Sequence, residues 1–466
     1  MTRNIPRQLT LILAIFTCTY FLYRDFGFRM IGGYVLLGLV LLLHLLDRLR
    51  RNESPVQTPV TAASLLLMLV ILLHYLRPDA RRDGDTIAYF ISMVICMGYV
   101  LFSRNEERDL RRGCSAIYLG AMTMAAFVVV FTFLPELFLR LVYPVLSDGA
   151  QLYYDFFAPL GYGVSLGGYS YSDYILYIGM AVCCADLAVK PRTGRRIAVD
   201  SLSLAFLLLA MVILGRRGEL LAALVATGLL VLALCSRRYR RIILLAGIVC
   251  AVTGIALVLA FLPYLGRIPV LARYVETIEQ ILSGADFTSG RGVLMGAALR
   301  GFLAHPILGM GWGQYLQLSA EIGIREPNDK LMADCHNIYL QFLCETGIVG
   351  TILLLIPIFY LLITTTRLLK AAKTLEDKEP LRFASISFLL QVFLLTLGIY
   401  DPSFQKLVFW CFYALALIFA NAAMIRSGWR PAGPVSRLLA RLAPWLCIPG
   451  NRIWQVLRTP WKEGNQ

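Results

Sequence analysis

About twelve long apolar runs, spaced over most of the chain, constrain its fold more than any other feature. They lie near 8–23, 29–46, 60–76, 86–103, 115–137, 169–189, 197–214, 219–235, 242–262, 348–366, 382–400 and 406–425. Most approach the ~17–25 residues that carry a helix across a hydrocarbon layer. A water-soluble core cannot absorb them. Hydrophobic residues make up 58% of the 466 and charged residues only 16%, against roughly 45–50% and about 25% in soluble domains, and surface-to-volume scaling limits what one core can bury. The expected fold class is an all-α polytopic membrane protein with about twelve transmembrane helices. Disorder, a collagen-like rod, a small disulfide scaffold and a freely soluble enzyme are excluded. The first run lacks a small-residue cleavage signature and reads as a retained helix.

The formal charge of +15 would suit nucleic acid if it formed one patch, but it is scattered between the runs. One alternating set of segments carries Arg48, Arg50 and Arg51; Arg104, Arg108, Arg111 and Arg112; Lys190, Arg192, Arg195 and Arg196; Arg237, Arg238, Arg240 and Arg241; and Lys370, Lys373 and Lys378. Such segments face the cytoplasm, and twelve crossings return the C-terminus to the N-terminal side. The expected organisation is helices one to nine over 1–262, an outer loop domain over 263–347, helices ten to twelve over 348–425, and a basic tail over 426–466. In that tail Trp429, Trp445, Trp454 and Trp461 alternate with Arg437, Arg441, Arg452 and Arg458. The mixture fits an interfacial helix on anionic lipid, or else a loosely ordered basic tail. The eleven cysteines show no C-x-x-C spacing and read as structural thiols.

The opposite side holds segments near 77–85 and 138–168, a tight turn at Gly215–Gly218, and the stretch 263–347. The last exceeds the length of a structureless connection and should have helices of its own. Arg216 and Arg217 stand where the orientation rule disfavours positive charge, and charge at membrane depth is costly unless paired or hydrated. A guanidinium fork grips phosphate; the alternative is snorkelling to headgroups. The long stretch adds Ser289-Gly290-Arg291-Gly292, Arg300, His305-Pro306-Ile307-Leu308-Gly309-Met310-Gly311-Trp312-Gly313, Asp334-Cys335-His336-Asn337-Ile338-Tyr339-Leu340 and Glu345-Thr346-Gly347. Glycines at 309, 311 and 313 permit unusual backbone angles and close approach, without the βαβ context of a dinucleotide site. His336, with a reference pKa of ~6.5, can accept a hydroxyl proton or be structural.

Three further features have competing readings. Asp83-Gly84-Asp85 matches a divalent-ion pattern, but a charged turn beside Arg81 and Arg82 is simpler. Tyr143, Tyr153, Tyr154, Phe156, Phe157, Tyr162, Tyr169, Tyr171 and Tyr174 form either an interfacial belt or a wall for sugar rings. Cys335 and Cys344, taken as lying on one helix, are expected to be too far apart for the ~4.4–6.8 Å Cα separation of a disulfide.

The order of these motifs resembles the O-antigen ligase and polymerase family, bacterial inner-membrane glycosyltransferases that act at the periplasmic face. The resemblance covers roughly residues 200–370. It implies a C-type glycosyltransferase with one long helical periplasmic loop and both termini cytoplasmic. The implied donor is a glycan on undecaprenyl diphosphate, the acceptor lipid A–core or another glycan. Membrane lipid surrounds the protein, and no cofactor, metal or nucleic acid is implied. Arg217 and Arg291 would bind the diphosphate, with Arg216 as a third candidate; His336 would contact or activate the acceptor hydroxyl. Arg300, Asn337 and Glu345 are supporting candidates. Arg216 departs from the pattern, which has a small polar residue there. Fixed cations stabilise a leaving diphosphate without a metal, and attack from the opposite face inverts the anomeric carbon. A single dominant outer loop favours a ligase over a polymerase. Protein O-glycosylating relatives rank behind these two. A lipid-linked glycan transporter ranks last, because transporters place polar groups at mid-membrane.

Overall fold

The structure is a computed structural model and describes residues 8–26, 30–50, 58–103, 105–167, 169–189, 193–284, 290–321, 323, 334–402, 404 and 407–429. Among them are seventeen α-helices and no strand. The first five are α1 (Leu9–Asp25), α2 (Met30–Arg50), α3 (Pro59–Tyr75), α4 (Gly84–Phe102) and α5 (Glu107–Phe133). Two short helices follow, α6 (Pro135–Leu141) and α7 (Asp148–Phe157). Next come α8 (Tyr169–Ala188), α9 (Gly194–Leu214), α10 (Arg217–Leu234) and α11 (Arg237–Leu265). The stretch after α11 holds α12 (Pro269–Ser283), α13 (Arg291–Ala304) and α14 (Tyr315–Glu321). The last three are α15 (Ile338–Ala372), α16 (Glu379–Leu397) and α17 (Leu407–Ser427).

Each of the twelve apolar runs coincides with one of the longer helices. By length and composition, seven of the described helices can cross a membrane: α5, α9, α10, α11, α15, α16 and α17. The architecture is that of a multi-pass helical membrane protein. Two runs end several residues earlier than expected. The fifth run does not continue as one helix to 137, because Pro135 lacks an N–H and clashes inside a helix; α5 stops at Phe133 and Pro135 opens α6. The eleventh ends at Leu397, leaving Gly398–Asp401 as a connecting turn. Arg51, Arg104, Lys190, Arg192, Ser289 and the tail beyond Trp429 lie outside the described residues.

α16 and α17 form the centre, with 83% and 94% of their apolar windows buried. α17 packs against α1, α3 and α4, and α16 against α8, α10 and α15, while α5 joins α1, α8 and α9. Polar ties fix the register of this apolar core. Gln391 Nε2 of α16 donates to Thr365 Oγ1 of α15 at 2.8 Å, and Thr58 Oγ1 at the start of α3 donates to Asn421 Oδ1 of α17 at 2.5 Å. Such bonds between helices specify pairing where hydrophobicity discriminates little.

The connections sort to two ends. At one, Arg426 pairs with Glu107 at 2.8 Å, Arg382 with Asp186, and Arg111 with Glu379 at 3.4 Å. Asp109 of α5 caps the start of α1 there, accepting from the backbone N–H groups of Thr10 and Leu11 at 2.9 and 3.0 Å. At the other end, Arg81 N–H donates to the Trp312 carbonyl at 2.8 Å, and Gln314 Nε2 to the Asp79 carbonyl at 2.8 Å.

α15 is broken at Gly347 (φ 63°, ψ −172°). The segment Pro306–Gly311 fills the break. The carbonyls of Pro306 and Ile307 accept from Ile348 and Val349 at 2.9 and 3.3 Å. The N–H groups of Met310 and Gly311 donate to the Cys344 and Glu345 carbonyls at 2.9 and 3.0 Å. The backbone groups orphaned by the break are thereby satisfied, a requirement for non-helical backbone near lipid. Glycine is needed on both sides. A Cβ on Gly309 would lie 2.4 Å from the Thr346 nitrogen, and one on Gly347 would lie 2.3 Å from the Ile307 oxygen.

Candidate functional site

The turn between α9 and α10 forms because Gly215 takes the left-handed C-cap conformation (φ 71°), at little cost without a Cβ. Its two arginines then meet different environments. Arg216 is tied down: Nη1 lies 2.6 Å from Glu219 Oε1, and Nε lies 3.5 Å from Oδ2 of Asp173, which is fully buried. Burial works against its charge, but Glu219 and Asp173 outweigh that and hold its pKa above the ordinary arginine value. Arg217, the first residue of α10, has no carboxylate partner among the described residues.

The turn Gly398–Asp401 after α16 gathers the three motifs that are separated in sequence. The Tyr400 hydroxyl donates to the Gly218 carbonyl, next to Arg217. Its ring occupies the space left by the missing side chain, since a Cβ on Gly218 would lie 2.2 Å from a ring carbon. The Tyr400 carbonyl accepts from Arg291 Nη1 at 3.3 Å. The Gly398 carbonyl accepts from Ile338 N–H at 2.8 Å, two residues past His336. Asp401 accepts from the Tyr174 hydroxyl at 3.4 Å. Arg217, Arg291 and His336 therefore belong to segments anchored on one short turn.

His336 is half-buried and has φ 55°, a region that non-glycine residues seldom occupy, although histidine tolerates it better than most. Cys335 before it is fully buried. Asn337 after it caps α15, accepting from Tyr339 and Leu340 N–H at 3.0 Å each. A side chain held in an uncommon conformation between two fixed neighbours fits a positioned functional group. Glu345 is buried, accepts from Gln341 Nε2 at 3.1 Å, and is approached by the backbone N–H groups of Gly313 and Tyr315. It anchors the segment that fills the α15 break. Arg300 lies exposed on α13.

The remaining candidates have local partners. Asp83 caps α4, accepting from Thr86 N–H at 2.9 Å and Oγ1 at 2.7 Å, and pairs with Arg81 at 2.5 Å. The aromatic set divides. Tyr171 and Tyr174 are buried in the core. Tyr143 bonds Asp155 at 2.9 Å, Tyr153 faces Arg24 at 5.1 Å, and the Tyr162 ring lies 3.4 Å from the Arg273 guanidinium. The expectation that Cys335 and Cys344 share one helix is corrected, because α15 begins at Ile338. Both are free thiols buried with Ala297, Ala298 and Tyr315.

Sequence reasoning does not single out Tyr400, Asp401 or Arg273. For the first two a signal exists in Tyr400-Asp401-Pro402, a polar break between two apolar runs. Arg273, a single cation on an amphipathic helix, gives none.

The class defined by the fold is a multi-pass helical membrane protein, in which the segments of two arginines and one histidine meet at one end of the bundle. Residues 202–355 match the family model described as O-antigen ligase. That match, over about a third of the chain, supports a relationship to the O-antigen ligase/polymerase family. No curated protein matches the chain. The matched stretch contains Arg217, Arg291 and His336 but not the turn at Gly398–Asp401 that anchors their segments.

Proposed function

We propose that this protein is a membrane glycosyltransferase of ligase type. It moves a glycan from undecaprenyl diphosphate to a sugar hydroxyl of lipid A–core at the periplasmic face of the bacterial inner membrane. One observation carries the reading: the segments of Arg217, Arg291 and His336 are anchored together on Gly398–Asp401. Arg216, already engaged by Glu219 and Asp173, holds the turn, which leaves the diphosphate to Arg217 and Arg291.

In this reading the acceptor oxygen attacks the anomeric carbon from the face opposite the diphosphate. The bond from that carbon to the diphosphate oxygen breaks, and inversion results. The acceptor proton passes to His336. Arg217 and Arg291 stabilise the charge that develops on the departing diphosphate, and no step calls for a metal. Each positioned electrostatic donor is worth about 10²–10³-fold, and a general base about 10²–10⁴-fold.

The test is the surface glycan of a deletion strain complemented in turn by Arg217→Ala, Arg291→Ala and His336→Ala. Each variant should leave the core bare and lipid-linked glycan accumulated, with membrane protein levels held. Normal display from all three would overturn the reading, and core bearing a single repeat in the deletion strain would make the protein a polymerase.

A further inference from the structure

α12 crosses the end of the bundle beside the Arg216–Arg217 turn and lays one cation against it. The Arg273 stem packs on the turn itself: a Cβ on Gly215 would lie 3.5 Å from Arg273 Cδ. Its guanidinium stacks over Tyr162 at 3.4 Å, and Nη1 donates to the Leu160 carbonyl at 3.1 Å. One residue on, the Tyr274 hydroxyl donates to the Val212 carbonyl at 3.1 Å, fixing α12 to the end of α9. The head group is thus oriented by a ring, a carbonyl and a helix contact.

Among the described residues neither Arg217 nor Arg273 has a carboxylate ion pair, while the adjacent Arg216 has two. Arg273 Nε is buried and has no hydrogen-bond partner. Burial lowers the Arg273 pKa; the charges of Arg217 and Arg216 act in the same direction, while Tyr162 and Glu276 oppose them without reversing the shift. Two like charges held close together on half-buried side chains persist at a cost, which an anion shared between them would remove. A bare helical staple needs only the Tyr162 stack and the Leu160 bond; it gains nothing from standing beside Arg217.

We propose that Arg273 is a further anion-binding residue of the donor site, closing on the lipid-linked diphosphate from α12 opposite Arg217. The inference rests on the donor-site reading above and adds a third guanidinium to it. A diphosphate presents more charge than one arginine neutralises, so Arg273 favours a lipid diphosphate over a lipid monophosphate. Arg273 contacts the same group before and after glycan transfer, so it sets donor binding more than the chemical step.

The test measures binding of undecaprenyl diphosphate and undecaprenyl monophosphate to the purified full chain in detergent over a range of salt. Arg273→Gln should weaken diphosphate binding about ten- to a hundred-fold, narrow the preference over monophosphate, and reduce the salt dependence. Tyr162→Leu removes the stack but keeps the charge and should retain the salt dependence; Glu279→Gln, an exposed change on the same helix, should leave binding unaltered. Arg273→Lys keeps the charge without the fork and should bind several-fold more weakly with the salt dependence retained. Wild-type affinity and salt dependence in Arg273→Gln would overturn the inference, as would equal losses in Arg273→Gln and Tyr162→Leu. If Arg217→Ala also binds as wild type, the donor-site reading itself fails; if Arg217→Ala loses binding and Arg273→Gln does not, only the role of Arg273 falls.

Discussion

α11 and the α16–α17 pair are all long and apolar, yet they occupy opposite places. None of the apolar window of α11 is buried, against 83% and 94% for α16 and α17. α11 touches little besides α12, whereas α16 ends in the turn that anchors the Arg217, Arg291 and His336 segments. Hydrophobicity alone places a helix in the bilayer; packing and a few polar bonds decide whether it faces lipid or carries the site.

Substitutions should separate the two regions steeply. The largest effect belongs to the break in α15. Gly347→Val adds a β-branched side chain at φ 63° against the Ile307 carbonyl, and should cost more than ~3 kcal/mol from combined strain and overpacking, measured by thermal denaturation in detergent. Wild-type stability would mean that the Pro306–Gly311 segment does not fill the break. Gly218→Val comes next, because its side chain must displace the Tyr400 ring. Transfer should fall about a hundred-fold at a stability cost of ~1–3 kcal/mol, and unchanged transfer would break the link between Tyr400 and Arg217. Tyr400→Phe removes one hydroxyl donor and should cost ~1 kcal/mol, with transfer reduced about ten-fold. Smallest are Val249→Ala and Val252→Ala on exposed α11, expected within ~0.5 kcal/mol of wild type. A loss above ~2 kcal/mol there would show that α11 packs on protein.

Much of the fold is legible in the sequence, for identifiable reasons. Helix positions follow from run length because lipid leaves the backbone little choice. Pro135 is the internal stop that hydropathy alone runs through, because a proline barely interrupts an apolar average. The Gly309–Gly311 and Glu345–Gly347 motifs are visible as a pattern, but not as two halves of one contact, since their bonds are backbone to backbone and carry no side-chain signature. Arg216 and Arg217 are identical letters. Only the positions of Asp173 and Glu219 in space show that the first is neutralised. Asp173 lies on α8, too far along the chain for any local pattern to connect it.

The interlock at Gly347 also bears on how this chain can be recombined with its relatives. A crossover placed between Gly311 and Cys344 would pair the insert of one parent with the receiving helix of another, and mismatched backbones would meet at 2.9–3.3 Å. Exchanges that transfer residues 305–349 as one cassette keep both partners native to each other, so such chimeras should assemble where finer swaps do not.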